Sequence, residues 1–463
     1  MAIDSKPFLS GFNPNVIPYQ MEVINDVREN FDYENHSYHE ILLSGSYGSA
    51  KSILCAHIAV SHCLMYPHSC VMLTRLAMPD LKETIFKEVL AHISEDLVEG
   101  VDYTKNTTSA SVTFLKNNSK IMSRSFKDNQ YGKFRSLRLS MIIYEEMTEC
   151  DNQAPYDAMK ARLNRVVEMN GKENCLIVAT NPDSPGHWAY KYFHLGDEEN
   201  RPLTRHVYYS VTSDNPFLPA SYTDQLLQDL DPLMARRMIG GEWIEISGEV
   251  VYYAYDQEHN RRKQEYKVDH RHPVRVCFDF NIAEGKPMSA AVAQYIDGTY
   301  HIFEEAVVEG MRTADTMEEL AGKGIFDMGL PVIIHGDATG RHKDTRSLRS
   351  DYDIIRNFLS NYLDHKGRMV NFDIEVPRAN PPIRKRHNLV NAACVNAAGQ
   401  RSLFVYNGAK VTDEGLRLTK LKSGGNYIED DSKAYQHITT AIGYMICRVK
   451  LGDNKKRQGS RAL

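Results

Sequence analysis

The chain has 463 residues, 42% of them hydrophobic and 25% charged, enough for two or three domains with cores of their own. It has no run of about 18 apolar residues, so no membrane-spanning helix is expected, and its first residues lack the basic and apolar regions of a secretory signal. A net charge of −5 confines any nucleic-acid surface to a local basic patch; eight scattered cysteines without a C-x-x-C pair read as free thiols in a reducing cytosol and make a zinc site unexpected.

In chain order, Ile17-Pro18-Tyr19-Gln20 precedes a helical pattern. A glutamine amide can donate to and accept from an adenine edge, although Gln20 read alone is an ordinary surface residue. The apolar run Ile41–Leu43 then leads into Gly45-Ser46-Tyr47-Gly48-Ser49-Ala50-Lys51-Ser52, followed by a helical segment from Ile53. A strand, a small-residue loop ending in Lys-Ser, and a helix form a cradle for a triphosphate. Loop N–H groups and the helix N-terminus face the phosphates, Lys51 adds a point charge, and the Ser52 hydroxyl reaches Mg²⁺. Ala50 stands where this pattern has its second fixed glycine, a substitution that a helical φ would accommodate.

Further apolar runs follow at Ser69–Leu73, Leu139–Tyr144 and Cys175–Thr180, with a hairpin expected over Ser111–Leu115 and Lys120–Ser123. Their composition suits buried parallel strands of an α/β nucleotide-binding domain. The run from Leu139 ends in Glu145-Glu146: the first acid is placed to hold the Mg²⁺ shell, the second to polarise the attacking water. Asn181, after Thr180, is placed to sense the γ-phosphate; the competing reading is a simple Asn-Pro turn. Arg135 and Arg138 are candidates for an arginine finger acting on a neighbouring subunit's nucleotide, or are a solvated basic loop; Arg75 is a weaker candidate.

The pattern changes near 215–260. Asn215–Pro219 is a breaker-rich loop, Ser221–Ile239 reads as one helix ended by Gly240-Gly241, and 241–262 reads as a linker between domains 1–240 and 263–450. From Val274 the order is strand, strand, strand, helix (Thr313–Gly322), strand (Val332–His335), as in the RNase H type of fold. Asp279 and Asp337 each follow one of these strands, and if the strands are neighbours their carboxylates converge on Mg²⁺ or Mn²⁺. A third ligand is sought near the late helical segment Ser432–Tyr444, where Asp431 and His437 are the alternatives. Arg378–His387 is a basic stretch read either as DNA-phosphate contacts or as a solvated loop. Residues 451–463 are basic and expected to be disordered.

Taken in order, Lys51-Ser52, Glu145-Glu146, Thr180-Asn181-Pro182, Arg236–Trp243, Gly248–Tyr252, Asp279, Gly336-Asp337 and His437–Tyr444 resemble the large terminase subunit of tailed bacteriophages over nearly the whole chain. The resemblance implies an N-terminal P-loop packaging ATPase and a C-terminal RNase H-like endonuclease. It implies ATP with Mg²⁺, Mg²⁺ or Mn²⁺ in the nuclease site, and double-stranded viral DNA as substrate. The implied partners are a portal protein, a small terminase subunit and further copies in a ring, at the procapsid portal in the host cytoplasm. By resemblance Gln20 reads adenine, Lys51 and Ser52 hold nucleotide and Mg²⁺, Glu146 is the base, and Asp279 and Asp337 are metal carboxylates. Many family members carry an aspartate where this chain has Thr440, which also admits a translocase whose second domain only grips DNA or the portal.

Overall fold

The computed structural model describes residues 12–29, 39–126, 131–163, 174–194, 205–245, 250–281, 286–308, 312–343, 349–422 and 429–459. The chain forms two compact units, Met1–Thr223 with Ala235–Ile246, and Asp224–Met234 with Ser247–Leu463.

The first unit begins with α1 (Tyr19–Glu29), β1 (His39–Gly45), α2 (Lys51–Met65), β2 (Cys70–Arg75), α3 (Met78–Glu83) and α4 (Ile85–Ser94). β3 (Tyr103–Asn106), β4 (Ser111–Phe114), β5 (Lys120–Ser125), β6 (Met141–Glu145), α5 (Ala154–Lys160), β7 (Cys175–Thr180), α6 (Trp188–His194) and β8 (Arg205–Ser210) come next. They build an eight-stranded sheet in the order β3-β4-β5-β2-β6-β7-β1-β8. Pairing is parallel from β5 to β8, with the expected β4–β5 hairpin and β3 antiparallel at one edge. β1, β6 and β7 are buried at every residue, as strands covered on both faces must be. Ile41, Leu43, Ile143 and Ile177 pack in one core with Leu54, Ile58 and Val89 of α2 and α4. Leu42, Ile142, Tyr144, Leu176 and Val178 pack in the other with Tyr156 and Phe193 of α5 and α6.

The single helix expected over Ser221–Ile239 is two, α7 (Tyr222–Asp229) and α8 (Pro232–Met238). Pro232 disfavours helical φ/ψ at Asp231, and the Asp231 carboxylate instead caps the N–H groups of Leu233 and Met234 at 3.1 Å.

The second unit holds α9 (Gln257–Asn260), β9 (Val274–Asp279), β10 (Met288–Ile296), β11 (Thr299–Val308), α10 (Thr313–Gly322), β12 (Val332–Gly336), α11 (Asp351–Asn361), β13 (Phe372–Ile374), α12 (Ile383–Cys394), β14 (Leu403–Val405), α13 (Lys410–Leu418) and α14 (Ala434–Gly459). Its sheet order is β13-β12-β9-β10-β11-β14. β9, β10 and β11 run antiparallel in sequence, and β12 returns parallel beside β9. Val276, Phe278, Ile334 and Ile355 form one core; Cys277, Ala291, Val390, Ile438 and Ile442 form another on the opposite face.

Several expectations change here. Val251 and Tyr252, in the stretch read as linker, are buried in the second unit's core, and Gly248 and Glu249 lie outside the described residues. The tail is helical to Gly459: α14 continues past the packed residue Val449 and past Gly452, with no proline to end it. The basic stretch Arg378–His387 is divided: Arg378, Arg384 and Lys385 are exposed, whereas Arg386 and His387 are buried at the start of α12.

Candidate functional site: a phosphate loop with an acid pair, and a carboxylate cluster

Parallel strands end flush, so the residues just after β1, β6 and β7 meet at one sheet edge, the usual place for ligands in open α/β sheets. Leu43 and Glu145 are both in register with Ala179, which puts β7 between the loop strand and the acid strand. Asn181 therefore stands between the loop lysine and the second acid. Lys51 Nζ donates to Asn181 Oδ1 at 3.1 Å, and Asn181 Nδ2 donates to the Glu146 carboxylate at 3.0 Å. Ser52 Oγ donates to Glu145 Oε1 at 2.6 Å.

The loop is shaped by its own small residues and by the end of β8. Gly48 has φ +71°, and its carbonyl accepts from Asn215 Nδ2 at 2.6 Å. Ser46 Oγ meets Thr212 Oγ1 and Ser210 Oγ donates to Ser49 Oγ, both at 2.9 Å. A Cβ on Gly45 would collide with the Ser210 and Ser49 hydroxyls. Lys51 Nζ lies over the Gly45 and Ser46 carbonyls at 2.7 and 2.8 Å. Burial pushes the Lys51 ammonium down to about 8, against the opposing charge of Glu146.

Ala50 does not have the helical φ expected of it. It caps α2 at φ 64°, ψ 29°, in the left-handed region. Its carbonyl accepts both from Leu54 N of α2 at 3.4 Å and from Gln20 Nε2 at 3.2 Å, while the Ser49 carbonyl accepts from Tyr19 Oη at 2.8 Å. Gln20 is thus a buried neighbour of the loop, 2% exposed, and not the surface residue it resembles when read alone.

Glu146 is also left-handed, at φ 51°, an outlier for a long side chain and a common sign of a constrained site. Burial raises the proton affinity of its carboxyl, opposed by Lys51 and Arg75. Glu145 Oε2 accepts from Thr84 Oγ1 at 2.7 Å, and Thr84 Oγ1 faces Arg75 Nη1 at 3.4 Å. Arg75, held by Glu149, is therefore the arginine the fold brings beside the acid pair. Arg135 and Arg138 are exposed, and among the described residues no hydrogen bond joins either to the loop. Thr84, Ser210, Thr212 and Asn215 are missed by sequence reasoning. Their only signal is a small polar residue at the end of a strand, in a breaker-rich loop or, for Thr84, at the junction of α3 and α4.

In the second unit β9 and β12 are neighbours, with Phe278 in register with Gly336, so Asp279 and Asp337 meet at one edge. Asp279 is 6% exposed; burial raises its proton affinity, His437 opposes this, and Asp337 adds to it. Asp279 Oδ2 accepts from Asn281 Nδ2 at 2.7 Å and faces His437 Nδ1 at 3.0 Å. Asp337 Oδ1 accepts from Asn380 Nδ2 at 2.7 Å. Of the two alternatives for a third ligand, His437 joins this cluster. Asp431 is instead paired with Lys286 and Lys422, which hold its carboxyl far below the usual range. Thr440 is buried one turn of α14 beyond Gln436, and its hydroxyl accepts from Gln436 Nε2 at 2.9 Å and faces Arg386 Nη2 at 3.4 Å.

Residues 36–242 match the family model described as phage terminase large subunit. The PBSX phage terminase large subunit of Bacillus subtilis (strain 168) is 27% identical over 215 residues, 42% of this chain and 47% of that protein. The matched region spans about half the length of that curated relative. Two solved structures, both of the large terminase of a thermophilic bacteriophage, share the fold at low identity. The complex with ADP has a TM-score of 0.65 at 15% identity, covering 93% of this chain and 98% of that one. The complex with ATP-gamma-S has a TM-score of 0.64 at 14% identity, covering 96% and 99%. The chain is thus similar over residues 36–242 to the phage terminase large subunit family, and it shares its fold with solved large terminases.

Proposed function

We propose that this protein is an ATP-driven DNA-packaging motor subunit whose second unit cuts concatemeric DNA with the help of a divalent metal. The observation that carries the motor reading is the line Lys51–Asn181–Glu146 beside the Ser52–Glu145 pair at the sheet edge. ATP supplied with Mg²⁺ would sit on the loop, with Lys51 leaving the Gly45 and Ser46 carbonyls for the phosphates and Gln20 at the adenine end. Ser52 and Glu145 are placed to hold the Mg²⁺ shell. Glu146, whose proton affinity is raised, suits a base that takes a proton from the attacking water. Asn181, bonded to both Lys51 and Glu146, would report loss of the γ-phosphate. Arg75 supplies positive charge from within the subunit; Arg135 and Arg138, being exposed, are left for a neighbouring subunit of a ring.

The second site offers a divalent cation a suitable donor set, but Asp279, Asp337 and His437 do not bring one ligand atom each within 4.8 Å of the other two, so holding the ion needs the side chains to draw together. Its donors are two carboxylates and an imidazole, and His437 Nε2 is buried with no hydrogen-bond partner among the described residues. Asp279, Asp337 and His437 would hold the ion, and the nitrogen donor suits Mn²⁺ better than Mg²⁺. When bound, it supplies Lewis-acid activation of the phosphodiester and of water. Asn281 and Asn380 orient the two carboxylates. A second reading, a translocase with a weak nuclease, is favoured by one observation: protein donors already satisfy the Thr440 hydroxyl. Double-stranded viral DNA, the portal and a small terminase subunit are the partners we propose, at the procapsid portal in the host cytoplasm.

Plasmid cutting in Mn²⁺ by the full chain separates the two readings. Cutting lost in Asp279→Asn supports the nuclease; intact plasmid across a wide metal range leaves only the translocase. ATP turnover lost in Lys51→Ala supports the motor, and turnover unchanged in that variant contradicts it.

A further inference from the structure

We propose that Asp26, His39 and His206 form a binding site for zinc in the first unit, at the end of β1 opposite the phosphate loop. His39 opens β1, His206 is the second residue of β8 and pairs with Ile41, and Asp26 lies near the end of α1. One ligand atom from each residue lies within 4.8 Å of the other two. His39 Nε2 is 3.2 Å from His206 Nδ1, His206 Nδ1 is 2.7 Å from Asp26 Oδ2, and His39 Nε2 is 3.7 Å from Asp26 Oδ1. Zinc bonds of about 2.0–2.1 Å in a tetrahedron put neighbouring ligand atoms about 3.3 Å apart. The two separations at His206 Nδ1 lie below that edge, and the third, taken to the other Asp26 oxygen, lies above it.

Two imidazoles and one carboxylate are a donor set that zinc takes and that Mg²⁺ does not favour. The competing account is a hydrogen-bonded network in which the Asp26 carboxylate also accepts from Tyr208. His206 Nδ1 carries at most one hydrogen, yet it faces both the Asp26 carboxylate and the His39 nitrogen. One proton serves one of these contacts well; a cation at their centre serves all three donors. Asp26 and His39 are buried, and His206, 34% exposed, leaves an open side where water would be the fourth ligand. The cysteine pattern gives no hint of this site because the site uses no cysteine.

The site joins three elements that are far apart in sequence. α1 starts with Tyr19 and Gln20, which hydrogen-bond the loop carbonyls, and Asp26 is under two turns further along. Zinc would clip α1 to β1 and β8 and so hold its loop-facing end. Binding to the folded state alone also stabilises it.

The test is equilibrium dialysis of the full chain against Zn²⁺, and Co²⁺ absorption as a report of tetrahedral nitrogen and oxygen ligation. Both are run with and without Asp279→Asn, which disables the other metal cluster. One zinc per chain that survives Asp279→Asn is expected, with visible Co²⁺ bands. His206→Ala should weaken binding about 100-fold or more. Asp26→Asn serves as the second variant, with circular dichroism to establish that each is folded. No zinc on the Asp279→Asn chain, or equal zinc on folded His206→Ala or Asp26→Asn, would overturn the proposal.

Discussion

Ala50 and Glu146 are two non-glycine residues held at positive φ on either side of the proposed γ-phosphate position. A left-handed backbone costs an L-residue about 1–2 kcal/mol, and glycine escapes that cost at the expense of more unfolded-state entropy. Ala50→Gly is therefore expected to stabilise the protein by about 0.5–1 kcal/mol, seen as a higher midpoint of thermal unfolding. A lower midpoint would mean that the Ala50 methyl contributes more through packing than it costs. Lys51 makes a pH prediction. Its ammonium is pushed down to about 8, so it is charged below that pH and neutral above it. Nucleotide affinity, measured by a fluorescent ATP analogue, should fall as pH rises through about 8, and Lys51→Arg should flatten that dependence.

At the scale of elements, the segment before α14 is tied to α12 by a buried ion cluster. Glu429 accepts from His387 Nε2 at 2.6 Å and is paired with Arg386. Against the upward push of burial, these partners hold Glu429 down at about 2, below its ordinary 4.5. A depressed carboxyl contributes stability that is fully present above 4.5 and lost as pH falls through about 2. Glu429→Gln leaves a buried arginine unpaired and should cost about 3 kcal/mol near pH 7. Measured by urea unfolding, the gap between variant and wild type should narrow as pH drops from 4.5. The same cluster explains why the basic stretch reads ambiguously in the sequence: Arg384 and Arg386 are two apart on a helix, so one faces out and the other in. His62 is another buried base, held at about 3 by burial alone and bonded to Ser140. It contributes stability present above pH 6.5 and lost as pH falls toward 3, so His62→Gln should flatten acid unfolding over that window.

For the whole molecule, the elements legible in the sequence are those whose pattern is set by burial on both faces. β6, β7, β9 and β12 are short, largely apolar runs, and the acids at the ends of β6, β9 and β12 and Asn181 after β7 stand where the strands end. β3 and β8, more polar and at sheet edges, are not legible, nor are the turn hydroxyls of Thr212 and Ser210 that brace the loop. Ala50 is identifiable as a departure, but its left-handed φ and its hydrogen bond from Gln20 of α1 are not revealed by any local pattern. Third ligands are also non-local: Asp431 and His437 differ because Lys286, 145 residues away, joins Lys422 in claiming the former. Because the two sites lie in separate compact units, their activities should separate. Asp279→Asn should keep ATP turnover near wild type while plasmid cutting is lost. The central claim is that Glu146, held by Asn181, is the base for ATP hydrolysis. Its most direct test is to measure ATP binding and turnover side by side in Glu146→Gln. Binding within about twofold of wild type, with turnover lowered about 100-fold or more, is the predicted result. Turnover equal to wild type in a variant that still binds ATP would contradict it.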